Sequence, residues 1–62
     1  MRAKEIIKIL LKNGWTLKAV SGSHRRYVKE GFPPVTVPFH GSKDLKIGTV
    51  KSIERSTGLK LL

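Results

Sequence analysis

Apolar residues recur at helical spacing near the start of the chain: Ala3, Ile6, Ile7, Leu10 and Leu11, with Lys4, Glu5, Lys8 and Lys12 filling the other side. That pattern predicts an amphipathic helix over about residues 3–13. Gly14 follows the last periodic residue, where a left-handed helix end favours glycine. The period then changes to two. Trp15 to Val20 alternates as a strand, Ser21-Gly22-Ser23 is turn chemistry, and a second strand runs from His24 to Lys29 or Glu30. Gly31-Phe32-Pro33-Pro34 closes a second hairpin, and residues 35–39 form a third strand. Pro38 cannot donate a ladder hydrogen bond, which puts that strand at a sheet edge. After a loop over 40–44, Ile47, Val50, Ile53 and Thr57 mark a second helix, about 47–57, ended by Gly58.

The order is therefore α-β-β-β-α, an α+β fold over residues 1–62 as a single domain. A three-stranded antiparallel sheet is expected to carry both helices on one face and leave the other open to solvent. The expected core is Trp15, Leu17, Tyr27, Val37, Phe39, Ile6, Leu10, Val50 and Ile53. Sixty-two residues bury only about 60% of the unfolded surface, so this core is modest. Cysteine is absent, which removes disulfides and thiolate metal sites. Small secreted domains usually need such staples, and no apolar run is long enough for a signal peptide or a membrane span. The expectation is a cytoplasmic protein that does not engage a membrane.

Charge changes the picture most. Thirteen Lys and Arg face four acids, for a formal charge of +9 and a pI near 10.6. That imbalance costs self-repulsion and attracts polyanions or an acidic partner. Most catalytic chemistry is then excluded. Glu5, Glu30, Asp44 and Glu54 fall on separate elements, so paired carboxylates are not expected. Two lone histidines without acidic neighbours do not make a metal site, and no cofactor motif is present.

What remains is histidine in a basic field. Histidine titrates near neutral pH and can move protons in RNA transesterification. That reaction needs a base at the ribose 2′-hydroxyl, an acid at the leaving 5′-oxygen, and cations on the phosphate. His24 follows Gly22, which permits close backbone approach, and Ser23, and precedes Arg25 and Arg26. A three-residue loop over 21–23 would pair Val20 with His24 and Leu17 with Tyr27. His24, Arg26, Thr16 and Lys18 then point outward, and Leu17 and Tyr27 inward. Pairing Tyr27 with Val37 in the second hairpin would set His24 directly opposite His40, making His40 a candidate second acid or base. Lys43 and Lys46 flank the start of the second helix. They are either phosphate contacts beside free helical amides or solvated loop residues. Trp15 and Tyr27 are either base-stacking surfaces or buried aromatics.

Five stretches stand out together: Lys4-Glu5 in an opening helix, Asn13-Gly14-Trp15, Gly22-Ser23-His24 with Tyr27, Val35-Thr36-Val37-Pro38 with His40, and Gly48-Thr49-Val50-Lys51-Ser52-Ile53. In this order and spacing they resemble the HicA family of small toxins in type II toxin–antitoxin systems. The similarity runs through essentially the whole chain. It implies a fold like the double-stranded RNA-binding domain and metal-independent cleavage of mRNA, with His24 as the catalytic histidine. It also implies a HicB antitoxin that covers the active face, with operator DNA bound only through the antitoxin. One departure is Ile47, where members of the family often carry proline. Lys18, Gly22, Ser23, Arg25, Arg26, Lys43 and Lys46 are the expected RNA contacts. A non-catalytic RNA-binding module with the same basic face is the alternative.

Overall fold

In a computed structural model, which describes residues 1–41 and 43–62, the first helix α1 spans Ala3–Lys12. Its start is held by the Glu5 carboxylate, which accepts the Arg2 backbone N–H at 2.9 Å. Its end is a double backbone clasp: Trp15 N–H donates to Leu10 C=O at 3.0 Å and Gly14 N–H to Leu11 C=O at 3.4 Å. Gly14 sits at φ +89°, which an L side chain would resist. The clasp turns the chain so that Trp15 is buried beside Leu10.

Strands β1 (Thr16–Ser21), β2 (His24–Val28) and β3 (Val35–Pro38) follow, then helix α2 (Ile47–Thr57). The sheet is antiparallel with β2 in the centre. Pro38 therefore lies on an edge strand, as its missing N–H demands. Tyr27, Val35 and Val37 are buried on one face with Ala3, Ile6, Leu10, Val50, Ile53 and Leu61, while His24, Arg26 and Thr36 are exposed on the other. Both helices pack principally against β3. The core at Ala3, Ile6 and Leu10 is the stripe that the periodicity marked, and Phe39 is packed partly buried against it.

Leu17 departs from expectation. It does pair with Tyr27, so it shares the core-side face, yet it is 48% exposed. Alternation along a strand fixes the face but not whether a helix reaches it. Every residue of β1 is exposed.

The register also differs. The β1–β2 turn has two residues, Gly22 and Ser23, with Ser21 opposite His24. Gly22 has φ +57° and Ser23 does not share that sign, the pattern of a II′ hairpin turn. A bulge between Leu17 and Ala19 takes up the extra residue, Lys18, and moves Val20 opposite Arg25. In the second hairpin Tyr27 pairs with Val35 and His24 with Pro38, not with His40. The shift is by two residues, so each side chain of β3 keeps its expected face.

Candidate functional site at the start of β2 and α2

His24 is the first residue of β2 and stands on the open face of the sheet, exposed. Its cross-strand neighbours are Ser21 and Pro38, and Arg26 is the next residue along that face. Ser23 C=O accepts the N–H of Phe39, which continues the β2–β3 contact past Pro38 and delivers His40 just beyond it. The chain then turns: Lys43 N–H donates to His40 C=O at 3.3 Å, and Gly41 in this turn has φ +64°. Ser42, in the same loop, lies outside the described residues. The segment leading to α2 is tied to the N-terminus by Leu45 N–H to Met1 C=O at 2.8 Å and by an Arg2–Asp44 bridge. The Arg2 Nε to Asp44 Oδ1 approach is 3.9 Å between two well-exposed side chains. It contributes little energy but fixes a direction.

These connections make one cleft of about 410 Å³. His24 and Pro38 line it from the sheet, His40 and Lys43 from the loop, and Lys46 and Thr49 from the start of α2. Both histidines line it because the loop after β3 carries His40 to the cleft, although Pro38 occupies the paired position. Asp44 also borders the cleft. Along the chain Asp44 is one of four scattered acids, and its place between Lys43 and Lys46 is the signal that marks it.

The start of α2 adds polarity of one sign. Lys46 is its N-cap, in extended conformation with no side-chain hydrogen bond to the helix amides. Lysine carries only donors and cannot cap. Thr49 and Val50 N–H groups bond back to Lys46 C=O. The helix thus presents the positive end of its dipole beside two lysines.

His24 also borders a second depression of about 430 Å³ on the open face of the sheet, with Ala19, Ser21, Arg26 and Thr36. It therefore stands where the two hollows meet. A third hollow, about 490 Å³, at the far end of α2 among Lys51, Glu54, Arg55 and Lys60 contains no histidine and is open on most sides. Among the described residues no three metal-binding side chains converge.

The other expected site residues separate. Gly22 and Ser23 form the turn that positions His24. Arg26 shares the open face with His24, but Arg25 lies on the core side, its guanidinium 4.1 Å from the centroid of the Phe39 ring. Lys18 occupies the bulge on the free edge of β1. Trp15 and Tyr27 are both buried, at 1% and 2% exposure, so neither offers a face to a base.

No helix among the described residues is long and apolar enough to cross a membrane. No curated protein matches the chain. A family model described as the HicA toxin of bacterial toxin–antitoxin systems matches residues 3–59, which takes in every strand, both helices and the whole cleft. The chain belongs to the HicA toxin family.

Proposed function

We propose that this toxin is a metal-independent endoribonuclease that cleaves mRNA by transesterification, with His24 transferring protons at the scissile phosphate. The observation that carries the reading is the convergence of His24, His40, Lys43 and Lys46 on one cleft. One neutral imidazole takes the proton from the ribose 2′-hydroxyl, and the freed oxygen attacks the adjacent phosphorus. The P–O5′ bond breaks, and a protonated imidazole supplies the leaving 5′-oxygen with its proton. The products are a 2′,3′-cyclic phosphate and a 5′-hydroxyl. His24 takes one of these roles and His40 is the candidate for the other. Lys43, Lys46 and the start of α2 stabilise the charge that builds on the phosphoryl oxygens. The hollow beyond His24 receives the adjoining nucleotides, with Arg26 on their phosphates. The other expected RNA contacts divide by position. Gly22 and Ser23 act by setting the approach to His24, Lys18 adds charge at the sheet edge, and Arg25 steadies the strand from beneath.

A HicB-type antitoxin inhibits the toxin by covering this face, in competition with RNA. A +9 protein is suited to an acidic inhibitor. In this reading operator DNA is bound through the antitoxin, and the toxin works in the cytoplasm.

Cleavage of a labelled RNA in EDTA tests the proposal. His24→Ala is expected to lower the rate by about 10²–10⁴-fold, the usual worth of a positioned acid or base, with RNA affinity retained. A substrate carrying 2′-deoxyribose at the cleaved position should resist the wild type. Equal slow degradation by wild type and His24→Ala would instead leave a non-catalytic RNA-binding module.

A further inference from the structure

A chain of 62 residues has little apolar surface to spare, yet it leaves two large aliphatic side chains uncovered on the core side of its sheet. Leu17 is 48% exposed and Val20 56%. Their pairing partners fix the face: Leu17 is opposite buried Tyr27, and Val20 is opposite Arg25, two residues before Tyr27. The bulge at Lys18 is what brings both to the same side, since residues three apart in a regular strand would face opposite ways. Without the bulge one of the two would stand on the open face with His24. Both helices pack principally on β3, and neither covers Leu17 and Val20 enough to bury them.

We infer that this uncovered flank of β1 is the docking site of an acidic protein partner, the antitoxin of the toxin's own system, which lays the apolar side of an amphipathic helix on Leu17 and Val20. Three observations select that occupant. The flank is bordered by cations, Arg25 on the same face and Lys18 at the edge, which suits a helix with acidic margins. A second copy of the chain would bring another +9 onto the same surface. An added strand is disfavoured, because a bulge and a lysine interrupt the free edge it would pair with; the face above it stays open. The inference adds to the proposed inhibition a grip on the side of the sheet opposite His24. The antitoxin would anchor under β1 and reach around its free edge to the cleft. It rests on the toxin–antitoxin membership, not on the ribonuclease chemistry.

The test is a binding measurement between the purified toxin and the HicB-type antitoxin encoded beside it. The doubly substituted Leu17→Thr, Val20→Thr toxin keeps β-forming residues at exposed positions, and circular dichroism checks its fold. The expected result is antitoxin binding weaker by about tenfold or more, as for anchors at an interface centre, with RNA affinity unchanged. Affinity for antitoxin within about twofold of wild type would overturn the inference. So would a parallel loss of RNA affinity, which would assign the flank to RNA. Wild-type self-association, or binding to anionic phosphatidylglycerol vesicles, that disappears in the variant would assign it to a second copy or a lipid surface instead.

Should the double variant not fold, Val20→Cys decides, because the chain has no other cysteine. Antitoxin should slow its alkylation by iodoacetamide at least about tenfold while leaving exposed Ser52→Cys on α2 unaffected, and equal rates at both would refute the docking. His24→Ala toxin should bind antitoxin through this flank as the wild type does. Failure of the nuclease reading would therefore leave this result standing, and the converse also holds.

Discussion

The two edge strands of the sheet meet opposite fates. β3 reads Val35-Thr36-Val37-Pro38 and buries both valines; β1 carries Leu17, Ala19 and Val20 and buries nothing. Both are edges, and both present apolar residues to the core side. The difference is supplied from outside the strands, since α1 and α2 lie principally against β3, while β1 pairs in the sheet with β2 alone and keeps its side chains exposed. β3 is thus part of the core, and β1 is a strand whose inner face is available.

The sharpest contrast is between residues two apart. Trp15, just before β1, is 1% exposed and Leu17 is 48%. Trp15→Ala should cost about 3–5 kcal/mol, close to the whole stability of a domain this small. Leu17→Ala should cost less than about 1 kcal/mol, near the range of surface changes. Denaturant titrations of the two variants check this. Similar midpoints would mean that something covers β1 in the free toxin.

A smaller, shape-matched comparison uses the same substitution on both edges. Val37 is fully buried, so Val37→Thr places a hydroxyl where no water reaches and should destabilise by about 1–3 kcal/mol. Val20→Thr, at 56% exposure, should stay within about 0.5 kcal/mol of wild type. Equal losses would show that β1 contributes to the core after all.

These contrasts mark how far the sequence could be read. Periodicity located α1, α2 and all three strands because each element's apolar spacing follows from its own backbone geometry. It misplaced Leu17 because a pattern of two specifies a face and carries no information about which strand the helices will cover. The Leu17–Tyr27 pair forms as its spacing predicts, but the pairing nearer the turn differs for a related reason: Ser21-Gly22-Ser23 has turn composition, yet Ser21 completes the ladder opposite His24. At the site, His24, Lys43 and Lys46 were legible from their neighbours along the chain. His40 was expected there for a pairing that does not form, and reaches the cleft through the loop. Arg25 and Arg26 were grouped by adjacency, although alternation sends neighbours to opposite faces. Asp44 was missed because its approach to the cleft depends on a bridge to Arg2, far away in sequence.

Because β2 is the only sheet neighbour of β1, the turn joining them should matter more to β1 than to the rest of the molecule. Gly22 has φ +57° with open space around its α-carbon, so Gly22→Ala meets backbone strain and no clash. The expected loss is about 1 kcal/mol. Hydrogen exchange should show it concentrated in the β1–β2 amides, with β3 little changed. A uniform loss of protection would mean that β1 unfolds only together with the core, and would weaken the division between the two edges.

The mildest effect is expected at the other periphery, the C-terminal tail, which unlike β1 is clasped by one side chain. The Glu54 carboxylate accepts the N–H groups of Leu61 at 2.6 Å and Leu62 at 2.9 Å, folding Leu61 onto the core. The amides of Leu62 and Leu61 hold the Glu54 carboxyl below its ordinary value against an opposing effect of burial, with Lys51 and Lys60 adding in the lowering direction. The ionised form is thus favoured by folding. The clasp contributes in full above the ordinary carboxylate range, and its contribution is lost as pH falls through the lowered value. Acidification should release the Leu61 and Leu62 amides, followed by NMR, while the sheet amides stay protected. Glu54→Gln removes the titration and should leave the tail loosened at every pH. If that variant showed the same acid transition, another carboxyl would control the tail, and both ends of the comparison would be held by the packing of the core alone.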